Sequence, residues 1–192
     1  MRFLLTVLCM TFFTQPTLAT TKTETAILAA GCFWCIEPPF DNAEGVLKTT
    51  VGYTGGHIKN PTYDDVTSKK SGHYEVIEVV FDPAIISYEK ILDIFWHNID
   101  PTDAGGQFYD RGQSYQTAIF VSGDAQQKIA EASLAATAKA IGKPIATKIL
   151  PAATFYAAEE YHQEYYKKNK LHYNAYKIGS GREGKIRKLW EK

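Results

Sequence analysis

The sequence predicts an α/β (α+β) fold: a ferredoxin-like two-layer sandwich, with helices packed against a mixed sheet and a long irregular C-terminal tail. Three observations predict it. Strand-like and helix-like segments alternate in β-α-β-β-α-β order. Within that order, segments 46–53 and 74–81 are adjacent strands with only a polar, turn-rich stretch between them. The length of 192 residues suits one domain with a sizeable core.

The elements follow in order. Residues 1–19 read as a signal peptide: Arg2 is a minimal positive region, 3–13 is apolar, and Thr17-Leu18-Ala19 offers small residues to a signal peptidase. The apolar run is too short to span a bilayer comfortably. An exported protein, periplasmic or secreted, is therefore expected, with one domain at 20–192 and no membrane attachment once the signal is removed. Residues 26–30 form an apolar strand ended by Gly31, and 32–40 a short helix that Pro38 and Pro39 disturb. Segment 46–53, rich in Val and Thr, is a strand stopped by Gly55-Gly56. Residues 54–72 form a long loop, and loops of that length in a compact domain usually have a functional reason.

Strand 74–81 (YEVIEVVF) alternates polar and apolar residues, the pattern of a half-buried strand, and Asp82-Pro83 ends it. Ser87 caps a helix over 88–98 with apolar residues at 91, 92, 94, 95 and 96. A Gly-rich loop at 100–113 leads to strand 115–121. Helix 124–141, strand 145–150 and helix 157–168 follow. The tail, 171–192, carries Gly179, Gly181 and Gly184 and reads as mostly irregular.

Composition narrows the function. Lys+Arg and Asp+Glu both number 21, so the net charge is zero, which argues against nucleic-acid or anionic-membrane partners. The 12 tyrosines leave hydroxyls to spare for a polar site. Cys9 lies inside the signal, so the mature chain keeps only Cys32 and Cys35. Two thiols three residues apart cannot staple distant parts of a fold, so a redox or nucleophilic role is expected. No second CxxC and no paired-His spacing completes a zinc site, and no bound metal or cofactor is expected.

The pentapeptide Gly31-Cys32-Phe33-Trp34-Cys35 concentrates the chemistry. A cysteine at a strand-to-helix junction faces unpaired N–H groups and the helix dipole, which lowers a thiol pKa and makes Cys32 a candidate thiolate nucleophile. Phe33 and Trp34 beside it either line a pocket for a small apolar group or belong to the core. Glu75 shares a strand face with Ile77, Val79 and Phe81. It is either desolvated and held protonated, fit for acid work, or reaches solvent at the strand's start. Tyr63, Asp110 and Tyr115 lie in or beside loops, where pattern alone singles out none of them.

These residues carry a family resemblance. Gly31-Cys32-Phe33-Trp34, Gly52-Tyr53-Thr54-Gly55-Gly56, Asn60-Pro61-Thr62-Tyr63 and Gly72-His73-Tyr74-Glu75 resemble peptide methionine sulfoxide reductase of the A type. So do Asp82-Pro83, Ile86-Ser87-Tyr88, Phe95-Trp96, Asp110-Arg111-Gly112, Tyr115, Glu160, His162-Gln163 and Gly179-Ser180-Gly181-Arg182. The ordered series runs from about residue 26 to 190. The resemblance implies that Cys32 is the nucleophile, Phe33 and Trp34 line a methyl pocket, and Glu75 is the acid. It implies Tyr63 and Tyr115 as hydrogen-bond donors to the sulfoxide oxygen, with Asp110 ordering the substrate side. It further implies the S epimer of methionine sulfoxide, free or in proteins, as substrate.

The chain departs from the family at Cys35, where many members have glycine, and no cysteine lies downstream. A relay of disulfides through the tail is closed. Attack of Cys35 on a Cys32 sulfenic acid would give a disulfide for an external dithiol, thioredoxin or thioredoxin-like, to reduce. Alternatively Cys35 sits buried as a small apolar residue and an external thiol resolves the sulfenic acid. A general CxxC thiol–disulfide oxidoreductase is the rival activity, and a metal-binding or interaction module the non-enzymatic rival. The expected state is a monomer.

Overall fold

The computed structural model describes residues 22–191, so residues 1–19, read above as a signal peptide, and Cys9 lie outside the described residues. β1 (Glu24–Ala30) leads into α1 (Phe33–Asp41), β2 (Val46–Thr54), the short α2 (Tyr63–Thr67), β3 (Tyr74–Phe81) and α3 (Tyr88–Trp96). A two-stranded ribbon, β4 (Gly106–Gln107) with β5 (Asp110–Arg111), precedes β6 (Thr117–Val121), α4 (Gly123–Ile141), β7 (Lys148–Pro151) and β8 (Tyr156–Ala157). Three helices end the described chain: α5 (Tyr165–Lys168), α6 (Lys170–Gly179) and α7 (Arg182–Trp190).

The main sheet runs β7-β6-β1-β3-β2-β8. β1 lies antiparallel between β3 and β6, β2 is antiparallel to β3 and β8, and β6 pairs parallel with β7. The sheet is therefore mixed, and its four inner strands follow the β-α-β-β-α-β path read from the sequence. Its core packs Phe33, Ile36 and Phe40 of α1 and Ile91, Leu92 and Phe95 of α3 against Leu28, Val51, Tyr53, Ile77, Val79 and Ile119. Removing that apolar area from water is the main force holding the layers together.

Strand β3 is more enclosed than an amphipathic strand. Its opposite face, Tyr74 and Val76, joins Ala29, Ala118 and Phe120 in a second cluster that Leu150 and Phe155 cover. Only Glu78 and Val80 stay partly open. Pro38 and Pro39 sit inside α1 without ending it, because Ile36 and Phe40 are fully buried and hold that face of the helix.

Four segments differ from the sequence reading. The 54–72 loop contains α2, which Thr62 and Asp65 close with a reciprocal capping box. The 100–113 loop contains the β4–β5 ribbon. Residues 157–168 are not one helix: β8 adds to the edge of β2, a 3-10 turn spans Glu160–His162, and α5 is a single turn. The Gln163 side chain causes this, because it accepts from the Val51 N–H and donates to the carbonyls of Val51 and Ala158, each at 2.9 Å. The tail is not irregular but forms α6 and α7. They are held by individual side chains rather than by an apolar stripe: Tyr173 alone is buried on α6 and Arg182 alone on α7.

Candidate active site

At the end of β1 the chain turns at Gly31, with φ +78°; a Cβ there would lie 2.5 Å from the Gln107 Cβ. Only glycine lets the β4–β5 ribbon approach this closely. The turn delivers Cys32 to the N-cap of α1, where its side chain makes no capping hydrogen bond. Glu75, 1 % exposed on β3, reaches across and accepts the Phe33 N–H at 3.1 Å through Oε2.

That bond changes the electrostatics expected of the helix start. The N–H that would stabilise a Cys32 thiolate is already engaged by a carboxyl group. Burial then pushes the Cys32 thiol well above its ordinary value, with Cys35, Glu75 and Asp110 adding to the rise. The pKa-lowering role read for this junction is therefore corrected: Cys32 rests as a neutral thiol. Glu75 is also raised, to about 8, because burial outweighs the hydrogen bonds from Phe33 and Tyr115. At neutral pH it is mostly a carboxylic acid, and its position on the core face decides the alternative left open by the strand pattern.

Tyr63 opens α2 and Tyr115 closes the 3-10 turn Gln113–Tyr115; both are half-buried. Burial first, then the Glu75 charge, raises both phenols, so they are kept as O–H donors. Asp110 stands on β5, raised by burial, and accepts a short hydrogen bond from the Tyr176 hydroxyl of α6. Tyr176 also interacts with Cys32. The structure thus brings Cys32, Glu75, Tyr63, Tyr115 and Asp110 together from five separate stretches of chain.

Phe33 and Trp34 divide their work. The Phe33 ring is buried in the core, 5.0 Å from the His162 ring and 6.0 Å from Tyr53. Trp34 is half-buried, and its Nε1 donates to His162 Nδ1 at 3.0 Å. Burial lowers the His162 pKa, so the ring stays neutral and can accept that bond. Tyr165 stacks on the indole at 3.9 Å and 9°, and Tyr176 meets it edge-on at 5.9 Å. Glu159 braces the same corner, accepting from the Tyr63 N–H at 2.8 Å and the Tyr53 hydroxyl at 2.9 Å.

Cys35 lies one turn along α1, buried, and both thiols are free. A hydrogen bond from Cys32 and the nearby Arg182 guanidinium draw Cys35 down to about 7 against its burial. Among the described residues no group of three or more His, Cys, Asp or Glu side chains is placed to hold a metal ion. A cleft of about 550 Å³ lined by Glu37, Asp41 and Lys167 contains no thiol, so the chemistry does not sit there.

Sequence reasoning missed Tyr165, Tyr176 and Arg182 as parts of this site. His162 and Arg182 fall within motifs that carried the resemblance, but without a role. Nothing in the local pattern ties Tyr165 or Tyr176 to this site, since the site residues they meet, Trp34 and Asp110, lie more than sixty residues away.

The family model for peptide methionine sulfoxide reductase matches residues 24–192. The chain belongs to that family. It is an enzyme of the peptide methionine sulfoxide reductase MsrA kind. It is 54 % identical over 171 residues to MsrA of Bacillus pumilus, covering 88 % of this chain and 96 % of that protein. It is equally 54 % identical over 178 residues to MsrA 2 of Caulobacter vibrioides, covering 92 % and 90 %. Among solved structures, Mxr1 from Saccharomyces cerevisiae in reduced form superposes with a TM-score of 0.74 at 30 % identity, over 80 % of this chain and 90 % of that one. Mxr1 in complex with Trx2 gives 0.54 at 25 % identity, over 78 % and 88 %.

Proposed function

We propose that this reductase returns methionine-S-sulfoxide, free or in proteins, to methionine through Cys32, with Glu75 as the acid and Cys35 as the resolving thiol. The observation that carries the reading is Glu75, a buried carboxyl raised to about 8 and fixed to the Phe33 N–H beside Cys32. A sulfoxide sulfur is a poor electrophile until its oxygen is protonated, because oxide is a bad leaving group. Neutral Glu75 supplies that proton, while the Tyr63 and Tyr115 hydroxyls hold the oxygen. The substrate sulfur, positive in the S–O dipole, favours loss of the Cys32 proton as it approaches. Phe33 and Trp34 receive the methyl group, and Asp110 with Tyr176 orders the substrate side.

One thiol and one sulfoxide give a Cys32 sulfenic acid and methionine. Attack by Cys35 then forms the Cys32–Cys35 disulfide and releases water. The Arg182 guanidinium beside Cys35 favours its thiolate for that attack. An external dithiol restores the pair, and the Mxr1–Trx2 complex supports a thioredoxin-like donor for this chain. The protein is exported as a monomer after removal of residues 1–19 and works on periplasmic or secreted substrates.

The test is turnover of the two sulfoxide epimers with dithiothreitol. The S epimer should be reduced and Cys32→Ser should abolish it. Glu75→Gln, which still donates a hydrogen bond but transfers no proton, should slow sulfenic acid formation by about 10²–10⁴-fold. Cys35→Ser should keep the first turnover and accumulate sulfenic acid. Reduction of protein disulfides independent of Glu75 would instead favour a general thiol–disulfide oxidoreductase. For export, a shortened form beginning near Thr20 should fractionate outside the cytosol.

A further inference from the structure

Cys35 lines a cleft that Cys32 does not. Cys32 sits beneath Tyr176 and Asp110 with Glu75 beside it, on the side assigned above to the substrate. Cys35 instead forms part of the lining of that cleft, which has a volume of about 380 Å³ and is bounded by His97, Tyr173, Lys177, Arg182 and Arg187. A volume of this size falls in the range of small-molecule sites.

The cleft is electropositive. Its lining carries three permanent cations and one acid, Glu183, which pairs with Lys177 at 2.6 Å. Arg182 is 4 % exposed, donates to the Asn98 carbonyl at 3.0 Å and lies 4.9 Å over the Phe108 ring; among the described residues it makes no ion pair within 4 Å, though Asp110 and Glu183 lie close enough to feel its charge. Arg187 reaches out at the rim, with only a 3.9 Å contact to the exposed Glu191. Two arginines without a tight ion pair among the described residues therefore stand beside a recessed sulfur. A recess bounded by low-dielectric walls concentrates the field of such charges on whatever enters.

We propose that this cleft admits a low-molecular-weight thiol bearing carboxylates, which reduces the Cys32–Cys35 disulfide by attack on the Cys35 sulfur. This rests on the reading of Cys35 as the resolving thiol, and adds a class of reductant to the dithiol donor. The attacking thiolate must reach the Cys35 sulfur, and it is Cys35, not Cys32, that lines the cleft. The first thiolate bonds to Cys35 and expels Cys32 as a thiolate, which takes a proton. A second thiolate attacks the small-molecule sulfur of the mixed disulfide and expels Cys35 as a thiolate. Two thiols are oxidised to one small disulfide, and one protein disulfide is reduced. Arg182 and Arg187 hold the carboxylates and offset the negative charge of the attacking sulfur. Cys35 is only 5 % exposed, so the recess favours a small thiol over a bulky one.

The experiment begins with one turnover on methionine-S-sulfoxide without reductant, followed by mass analysis of the thiols. The oxidised protein is then mixed with mercaptosuccinate, 2-mercaptoethanol or cysteamine, with rate constants expressed per thiolate. At low salt the dianionic thiol should outpace the neutral one by about tenfold or more, with the cationic thiol slowest. That advantage should collapse in about 0.5 M salt, where charges are screened within a few ångströms. Arg187→Glu should bring the mercaptosuccinate to mercaptoethanol ratio close to one. Consumption of both thiols in the first step, followed by equal, salt-independent rates for the three thiols, would overturn the cleft proposal alone. If the first step instead leaves one thiol free and a sulfenic acid, the resolving role of Cys35 fails and the proposal falls with it.

Discussion

Replacing Glu75 with glutamine gives a stability signature that can be separated from its effect on catalysis. A carboxyl whose folded-state pKa is raised binds its proton more tightly in the folded than in the unfolded chain. Stability from that group is present at low pH and is lost as pH rises from the unfolded value toward the folded one. For Glu75 the window runs from the ordinary 4.5 to about 8. At about 1.4 kcal/mol per pH unit, ionising the buried group costs the wild type about 4 kcal/mol between pH 5 and 9. Glutamine has no proton to lose and escapes this cost. Glu37, raised to about 7 by its own burial, loses stability in the same direction, but equally in both proteins, and so cancels in the comparison. Thermal unfolding of wild type and Glu75→Gln across this range is the assay. The Tm difference should shift in favour of the variant by about 8–16 °C from acid to alkaline pH, at 2–4 °C per kcal/mol for a chain of this size. Parallel pH–stability curves would show that Glu75 ionises freely, and would remove the physical basis for treating it as an acid at neutral pH.

Further tests probe the supports around the site. Gln163→Ala removes two hydrogen bonds to Val51 of β2 and one to the Ala158 carbonyl, leaving the Val51 N–H and the Ala158 carbonyl without that partner, so it should cost about 2–4 kcal/mol in denaturant unfolding. Phe40→Ala empties a fully buried site between α1 and the sheet and should cost about 3–5 kcal/mol by the same measurement. At Gly52 an added Cβ would lie 2.3 Å from the Tyr156 carbonyl oxygen, so Gly52→Ala should displace β8 and speed hydrogen exchange at the Ala158 amide, which bonds to the Val51 carbonyl. Tyr176→Ala should uncover Cys32, raising its alkylation by iodoacetamide several-fold when read by peptide mass; an unchanged rate would mean that α6 does not shield the thiol.

The sheet was readable because its signals are local. Val76, Ile77, Val79 and Phe81 declare a strand, Gly31 and Gly55 mark its neighbours' ends, and Ser87 announces α3. Alternation puts Glu75 on the face of Ile77 but leaves its burial open, because a residue at the start of a strand can reach solvent; the packing around β3 closes that route. The misread parts depend on partners far away in sequence. The thiol environment at Cys32 turns on a carboxyl 42 residues distant that takes the Phe33 N–H. The break at 157–168 turns on one glutamine side chain bound 112 residues back. Helices α6 and α7 bury so little apolar surface that no periodic stripe reveals them. What anchors them is a tyrosine on Asp110 and an arginine on the Asn98 carbonyl.

The hold of Tyr176 on Asp110 and Cys32 also has a meaning in time. A chain is synthesised from its N-terminus, and the thiol pair is made early, while the tyrosine that roofs it comes near the end. Until α6 has arrived and settled, the sulfur proposed to do the chemistry lacks its cover. The arrival of α6 is thus the event that turns two ordinary thiols into a guarded pair. A chain truncated before residue 176 would carry the whole reactive motif and none of its restraint.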